Sequence, residues 1–310
     1  MAITDDIRIV IKVCQLYYEE NLSQKEISAQ LGISRPQISR LLATARSNNI
    51  VSININNPYA EETRLEKELV RKYKIKDALI VNTTSETESN KFEVFSAQAA
   101  KHLHAYIRDN DLIGVMSGKT ISYLLNGVNN FERYGLDFIP LVGGIGAINP
   151  EWHANVIAQK FAEKLGGKSY MLNAPVVVQN EQACEIFMKE PEIASVIQLG
   201  KKCNVTIVGI GQVNLNSTNV RAGALTQDDI KSLVESEAVA SVCTSYLNSK
   251  GEIIETSLSK RSIGQTLNDI KNSKTISCAI GDSKVAAIKA ALLSGYIDVF
   301  MTDMNTAQQL

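Results

Sequence analysis

Between residues 22 and 46 apolar positions fall at helical spacing twice, and both runs open in the same way. Leu22, Ser23, Glu26 and Ile27 in the first run, and Ile33, Ser34, Gln37 and Ile38 in the second, place a serine three residues before an acid or amide with an apolar residue on either side. Each is a capping box with a hydrophobic staple, in which the serine caps a helix start and the acid or amide reaches back. Gly32, just past Leu31, suits a left-handed helix end. The pattern predicts two short helices joined by a tight turn. Ile38, Leu41, Leu42 and Ala45 share one face of the second helix, which leaves Arg35, Gln37, Arg40 and Thr44 on other sides.

Upstream, Ile7, Val10, Ile11, Val13, Cys14, Tyr17 and Tyr18 follow mixed spacings of three and four, which predicts a helix over 6–19 packed on the pair. Downstream, Val51, Ile53 and Ile55 alternate with polar residues, which predicts a short strand. It serves either as a wing against a DNA backbone or as a strand closing a small core. After Pro58 the segment PYAEETRLEKELVRKYKIKD reads as a charged helix with Leu65, Leu69 and Tyr73 on one stripe. Such a stripe packs on its own domain or pairs with a second copy.

From residue 77 the pattern changes. Short apolar runs (DALIVN, DLIGVM, LDFIPLVGG, SYMLNAPVVV, NVTIVGIG, AVASVCTSYL, TISCAIG and YIDVFMT) alternate with helical stretches at 91–107, 119–128, 152–165, 226–236 and 283–294. This alternation predicts an α/β domain with a mostly parallel sheet covered on both faces. The expected domains are 1–56, a three-helix helix-turn-helix module with a possible wing; 57–76, a linker helix; and 77–310, a larger α/β domain.

A helix, a glycine turn and a second helix with Arg and Gln in its first turns is the layout whose second helix enters the DNA major groove. The plain alternative is an ordinary helical hairpin. Arg35, Gln37 and Arg40 are the candidates for base edges, since Arg suits guanine and Gln adenine. Ser34, Ser39 and Arg46 are the candidates for phosphates, although Gln37 has a competing duty in its capping box. Residues 34–46 contain no acid.

In parallel sheets ligands bind beyond the carboxyl ends of strands, so the loops after the apolar runs carry the candidate chemistry. GVMSGKT at 114–120 leads from a strand into a helix, and Ser117, Gly118, Lys119 and Thr120 could hold a phosphate by backbone amides and the helix dipole. The alternative is a tight turn. A nucleotide triphosphatase loop is excluded because Ile113 stands where the motif needs its first glycine. LVGGIG at 141–146, with Gly143 and Gly144, and VGIGQ at 208–212 would let a ligand approach the backbone, but neither fits a dinucleotide fingerprint. His153 and Asn155 could meet sugar hydroxyls or could be an ordinary helix start. Arg261 and Lys284 are candidates for an anion or surface charges, with Lys284 favoured by its place after a strand. His102 and His104 make a poor metal pair, and nothing nominates a catalytic triad, a metal or a cofactor.

Composition narrows this further. Over 310 residues the net charge is -1, so DNA affinity must come from a local basic patch. Five scattered cysteines without short pairs argue against a zinc module or a disulfide framework and for a reducing cytosol. No apolar stretch is long enough to span a bilayer, and the start MAITDDIRIV has no basic leader, so a cytoplasmic protein is expected.

QLYYEENLSQKEISAQLGISRPQISRLLATAR, IVSININ, IGVMSGKT, LVGGIG, NAPVVV, VGIG, RAGALTQDDI, IGDSK and MTDMNTAQQL together resemble the SorC family of bacterial sugar-responsive transcriptional regulators, sometimes grouped with deoxyribonucleoside regulators. The resemblance implies a C-terminal domain with the fold of sugar-phosphate isomerases and coenzyme A transferases, used as a sensor without turnover. It also implies three partners: double-stranded operator DNA, a sugar or phosphosugar effector, and further copies of the chain in a tetramer or dimer. Departures stand out. Where the family pattern reads Ser-Trp-Gly the chain has Met116, Ser117 and Gly118. Where the family carries Val-Gly-Asp and then an Arg, it has Val239, Ala240, Ser241 and Ser245. Val142 replaces the Schiff-base lysine of some relatives, which argues against covalent capture. The competing expectation is an isomerase-like enzyme with an added helical domain, which Asp282 beside Lys284 keeps open; a third is a DNA-binding assembly factor without an effector.

Overall fold

The computed structural model describes residues 6–129, 132–144, 148–221 and 223–310. The chain divides into two compact units, Met1–Pro58 and Tyr59–Leu310.

In the first unit, α1 (Ile7–Cys14) continues as a π-helical turn (Gln15–Glu19), followed by α2 (Gln24–Leu31) and α3 (Arg35–Ser47). Both sequence-predicted helix starts are present. The Ser23 N–H donates to Glu26 Oε2 at 2.8 Å while Ser23 Oγ accepts from the Glu26 N–H at 3.3 Å. In the second box both the N–H and the hydroxyl of Ser34 donate to Gln37 Oε1, at 3.2 and 2.8 Å. Gly32 sits at φ +65°, the left-handed turn between the helices. Val10, Val13, Ile27, Ile38, Leu41, Leu42 and Ala45 form the buried centre, with Leu22 and Ile33 partly buried against it.

The strand expected at 51–55 does not form. The N–H groups of Ile50 and Val51 donate to Ala45 O at 2.8 and 3.2 Å, which folds both side chains back onto the three helices. Beyond them Ile53 and Ile55 are 58% and 80% exposed. The described residues of this unit contain no second strand, so an isolated alternating run has nothing with which to share ladder hydrogen bonds.

The second unit begins with α4 (Ala60–Tyr73), the segment expected to act as a linker. Leu65, Leu69 and Tyr73 join the buried cluster that also holds Ile80, Ile288 and Phe300. Tyr73 OH donates to the Leu310 carbonyl at 2.8 Å, and Glu66 Oε1 accepts from the Ile80 N–H at 2.9 Å, so the helix supplies an acceptor to an edge strand.

Among the described residues seven strands form the main sheet: β1 (Asp77–Val81), β2 (Leu112–Val115), β3 (Asp137–Pro140), β4 (Lys168–Ser169), β5 (Val205–Gly209), β10 (Lys274–Cys278) and β11 (Val299–Asp303), in the order β1-β11-β10-β5-β2-β3-β4 with every pair parallel. Strands β6 (Gly211–Gln212), β7 (Ala240–Val242), β8 (Ser245–Leu247) and β9 (Ile253–Ile254) make a small antiparallel sheet. The remaining helices are α5 (Glu88–Leu103), α6 (Lys119–Gly127), α7 (Ala154–Leu165), α8 (Glu181–Lys189), α9 (Pro191–Gly200), α10 (Thr218–Arg221), α11 (Gln227–Glu235), α12 (Val285–Leu293) and α13 (Met304–Ala307). Phe95, Ile121, Leu124, Ile157 and Phe161 of α5, α6 and α7 pack with Ile113, Val115, Ile207 and Ile276 of the sheet. Residues of α4 and α12 pack in the other large cluster, with Val208 and Phe300. Covering both faces buries β11 and nearly all of β5, which is why β5 is continuously apolar or small and β11 opens on Val299, Phe300 and Met301 before its terminal Asp303.

Two apolar runs behave differently from the expectation. AVASVCTSYL is a hairpin rather than one strand: Val242 pairs with Ser245 across a turn in which Cys243 adopts φ +53°. The Thr244 N–H and hydroxyl both donate to Gln265 O, at 3.1 and 2.9 Å, so a tertiary contact holds a turn that carries no glycine or asparagine signal. In SYMLNAPVVV only the first residue belongs to a strand, β4, and Val177 makes an isolated bridge to Ser262.

The sheet order fixes where a ligand can approach. From β2 the chain moves outward through β3 and β4, then returns to β5 beside β2 and moves outward the other way through β10 and β11. A crevice beyond the carboxyl ends of β2 and β5 is the topological switch point.

Candidate functional site

Two regions are candidates for functional chemistry, one in each unit. On α3, Ser34, Arg35, Ser39, Arg40 and Arg46 are exposed and Gln37 is half-buried, while the apolar stripe of the same helix is buried. Among the described residues none of the three arginines forms an ion pair, so their charge is available to a phosphate or a base edge. Gln37 is different. Its carbonyl oxygen already accepts two hydrogen bonds from Ser34, so bidentate reading of adenine requires the capping box to open.

In the second unit the switch-point crevice is a small cleft open to solvent. It is lined by Met116, Ser117, Gly118, Lys119, Thr120 and Ile121 after β2, by Gly209, Ile210 and Gly211 after β5, by Ser217 and Thr218 at α10, and by Lys284 after β10. Gly118 stands at φ +141°, a conformation that L side chains rarely adopt, and its N–H donates to Trp152 O at 2.8 Å. This turn aims the start of α6 at the cleft. No side chain caps α6, and the N–H groups of Lys119, Thr120 and Ile121 have no acceptor among the described residues. Open first-turn amides at the positive end of a helix form an anion site.

Two cations face it. The Lys119 ammonium lies 4.9 Å from the ring centre of Phe92 and 5.7 Å from that of Tyr123, whose rings are 4.7 Å apart. That aromatic pair holds the charge without neutralising it. Burial pushes the Lys284 amine down to about 8, and the charge of Lys119 acts in the same direction. Neither lysine forms an ion pair among the described residues, and the cleft lining contains no Asp, Glu, His or Cys.

The sign of the resulting pH dependence follows directly. Below about pH 8 Lys284 is already charged and attracts an anion; above it, the free cleft loses that charge. A phosphate monoester becomes a dianion above about pH 6. Phosphate affinity is therefore expected to be highest between these limits and to fall as pH rises beyond 8, with proton uptake on binding at alkaline pH. Calorimetric titrations in buffers of different ionisation enthalpy check this.

Other sequence-predicted site residues lie elsewhere. The Gly143 and Gly144 N–H groups donate to Ile263 O and Ala174 O, both at 3.0 Å, and a Cβ on either would collide with Pro175 O or Asn155. These glycines serve close packing, and Ile145 and Gly146 of the same loop lie outside the described residues. The His153 ring nitrogens lie 3.3 Å from Gly144 O and 3.1 Å from Ile148 O. Asn155 is buried, donating to Leu172 O at 3.2 Å and accepting from Leu172 N–H at 2.9 Å, which ties its amide to the backbone of a neighbouring segment, and it is absent from the cleft lining. Arg261 pairs with Asp229 and donates to Val178 O at 3.2 Å, tying α11 to the segment before α8. Against burial, the Thr226 and Arg261 hydrogen bonds hold the Asp229 carboxyl below its usual range. Asp282 is exposed, accepts from Gln309 Nε2 at 3.0 Å, and is absent from the cleft lining.

Sequence reading passed over Ser217 and Thr218 as ligand candidates. They reach the cleft from the start of a four-residue helix after β6, Ser217 just before it and Thr218 as its first residue, with no periodic signal to mark it. Ser241, at the position of the family acid, is buried in β7 opposite Gly211, and Ser245 Oγ accepts from the Leu267 N–H at 2.9 Å.

Residues 57–310 match the family described as "Putative sugar-binding domain", and residues 12–48 match "Sigma-70, region 4". The deoxyribonucleoside regulator of Bacillus subtilis (strain 168) is 29% identical over 98% of this chain and 97% of its own. The sorbitol operon regulator of Klebsiella pneumoniae is 26% identical over 100% of this chain and 99% of its own. The crystal structure of that full-length regulator, SorC, superposes with a TM-score of 0.75 at 25% identity, covering 98% of each chain. Among the described residues no helix is long and apolar enough to cross a membrane.

Proposed function

The chain belongs to the SorC/DeoR-type family of transcriptional regulators with a sugar-binding domain, and from this we propose that its effector is a small phosphorylated sugar with its phosphate between Lys119, Lys284 and the start of α6. The protein is a DNA-binding transcriptional regulator under sugar control, as the family's members are, and not an enzyme. The observation that carries the effector reading is the pair of unneutralised lysines opposite uncapped helix amides. Ser117, Thr120, Ser217 and Thr218 supply hydroxyls for the remainder of the ligand. The relatives named for deoxyribonucleosides and sorbitol make pentose and hexitol phosphates the first compounds to screen. A thermal-shift screen of phosphosugars against the full chain tests this, since a ligand of the native state alone raises its melting temperature. A larger shift with at least one phosphorylated compound than with its parent sugar at the same concentration is the expected result; a screen in which the phosphate adds nothing removes the assignment.

Arg35 and Arg40 read bases in this proposal, Ser34, Ser39 and Arg46 hold phosphates, and Gln37 reads only when its cap opens. Arg40→Ala is expected to cost about 1 to 3 kcal/mol of base discrimination if the side chain binds guanine bidentately. Competition between operator and single-base variants checks this: an unchanged preference order in Arg40→Ala contradicts the role. The regulator acts in the cytoplasm as a dimer or tetramer that presents paired recognition helices, a state that light scattering on the full chain measures. Effector binding alters operator affinity only by as much as its affinity differs between the two states of the protein.

A further inference from the structure

A second cleft opens at the same edge of the sheet, lined by Lys91 and Phe92 of α5, Gly281 and Asp282 after β10, and Asp303 at the end of β11. Asp303 is only 4% exposed. One of its carboxylate oxygens, Oδ1, accepts from the Thr306 hydroxyl, whose oxygen in turn accepts from the Gly281 N–H at 2.9 Å. The other, Oδ2, has no hydrogen-bond donor and Asp303 has no ion-pair partner among the described residues. A buried carboxylate without a cation or a full set of donors is costly and is a feature of sites that wait for a ligand. Close by, β1 residue Val81 pairs with Asp303, and two residues beyond it the Thr83 hydroxyl is buried with no partner among the described residues.

We propose that this cleft is a subsite for the hydroxyls of a polyol or sugar, with the free oxygen of Asp303 accepting from ligand hydroxyls and Phe92 covering the ligand's C–H face. A carboxylate beside an aromatic ring suits a polyol, which offers hydroxyl donors on its edges and apolar C–H groups between them. A metal is the poorer occupant, because no group of three His, Cys, Asp or Glu among the described residues comes together as a metal site. Phe92 also meets the Lys119 ammonium, at 4.9 Å, so the polyol subsite adjoins the cation cleft while using different polar groups. The inference stands apart from the phosphate assignment, and each can fail alone.

The test is calorimetric titration of the full chain with three probes at millimolar concentration: neutral ribitol, sorbitol or ribose; inorganic phosphate; and magnesium chloride. At least one neutral polyol is expected to bind, and Asp303→Asn, which keeps the contact with Thr306, is expected to weaken it about tenfold or more. Phosphate binding by that variant is expected to match wild type. Lys119→Met with Lys284→Met is expected to show the opposite pattern. Should Asp303→Asn fail to fold, Asp282→Asn and Phe92→Leu carry the same test with an expected loss of about threefold to tenfold. The inference is overturned by no binding of any neutral polyol, by polyol affinity unchanged in these variants, or by Asp303-dependent binding of magnesium alone.

Discussion

A chain carrying both Lys119→Met and Lys284→Met is expected to bind operator DNA normally and to lose its response to phosphosugars. Methionine keeps the long side chain of Lys119 over Phe92 and Tyr123 while removing the charge. Each charge-assisted hydrogen bond to phosphate contributes about 1.5 to 3 kcal/mol, and partial exposure of the cleft places both lysines at the low end. The pair should therefore cost about 3 kcal/mol, on the order of 100-fold in affinity. Stability moves the other way or not at all, because the variant removes two like charges that oppose one another in the free protein. Calorimetric titration with inorganic phosphate and with a responding phosphosugar measures the first effect and thermal unfolding the second. Wild-type affinity in the double variant would show that the anion binds elsewhere.

The second large effect is at the output end. Leu41 is 0% exposed and lies at the centre of the three-helix cluster with Ile27 and Ile38. Leu→Ala at such a site costs about 2.7 to 5.0 kcal/mol, comparable to the whole stability of a module this small. Leu41→Ala is expected to unfold the first unit and abolish DNA binding while the second unit still binds effector. A loss of helical circular dichroism equal to that of one small unit, with an unchanged effector isotherm, is the expected observation. Retained operator affinity would mean that this cluster is not what holds α3 in place.

Much of the fold was legible because the chain states its boundaries locally. Ser23 with Glu26, Ser34 with Gln37 and Gly32 are read within a few residues of themselves, and the helices start and stop where those residues say. The parallel sheet was legible from continuous apolar runs, since a strand covered on both faces has no polar side to alternate with. The β7–β8 hairpin was not, because Cys243 and Thr244 turn the chain through a contact to Gln265 that lies about twenty residues away and carries no local mark.

The candidate site divides in the same way. Ser117, Gly118, Lys119 and Thr120 lie on one loop, so their convergence was visible in the sequence, and Lys284 was placed by the rule that ligands meet the carboxyl ends of strands. Gly143, Gly144, His153, Asn155 and Arg261 have equally suggestive positions, but backbone carbonyls, tight packing or a carboxylate already occupy them. Which polar groups are left over is a tertiary property. The same holds for Asp303, an unremarkable acid in the sequence whose environment only the assembled sheet defines.

In this proposal a phosphorylated effector in the lysine cleft controls operator affinity. Fluorescence anisotropy of the full chain on operator duplexes selected from a random pool, with and without the phosphosugar found by thermal shift, tests it most directly. A change in operator affinity of about tenfold or more is expected in the wild type and none in the Lys119→Met, Lys284→Met chain. An effector response of wild-type size in that double variant would contradict it.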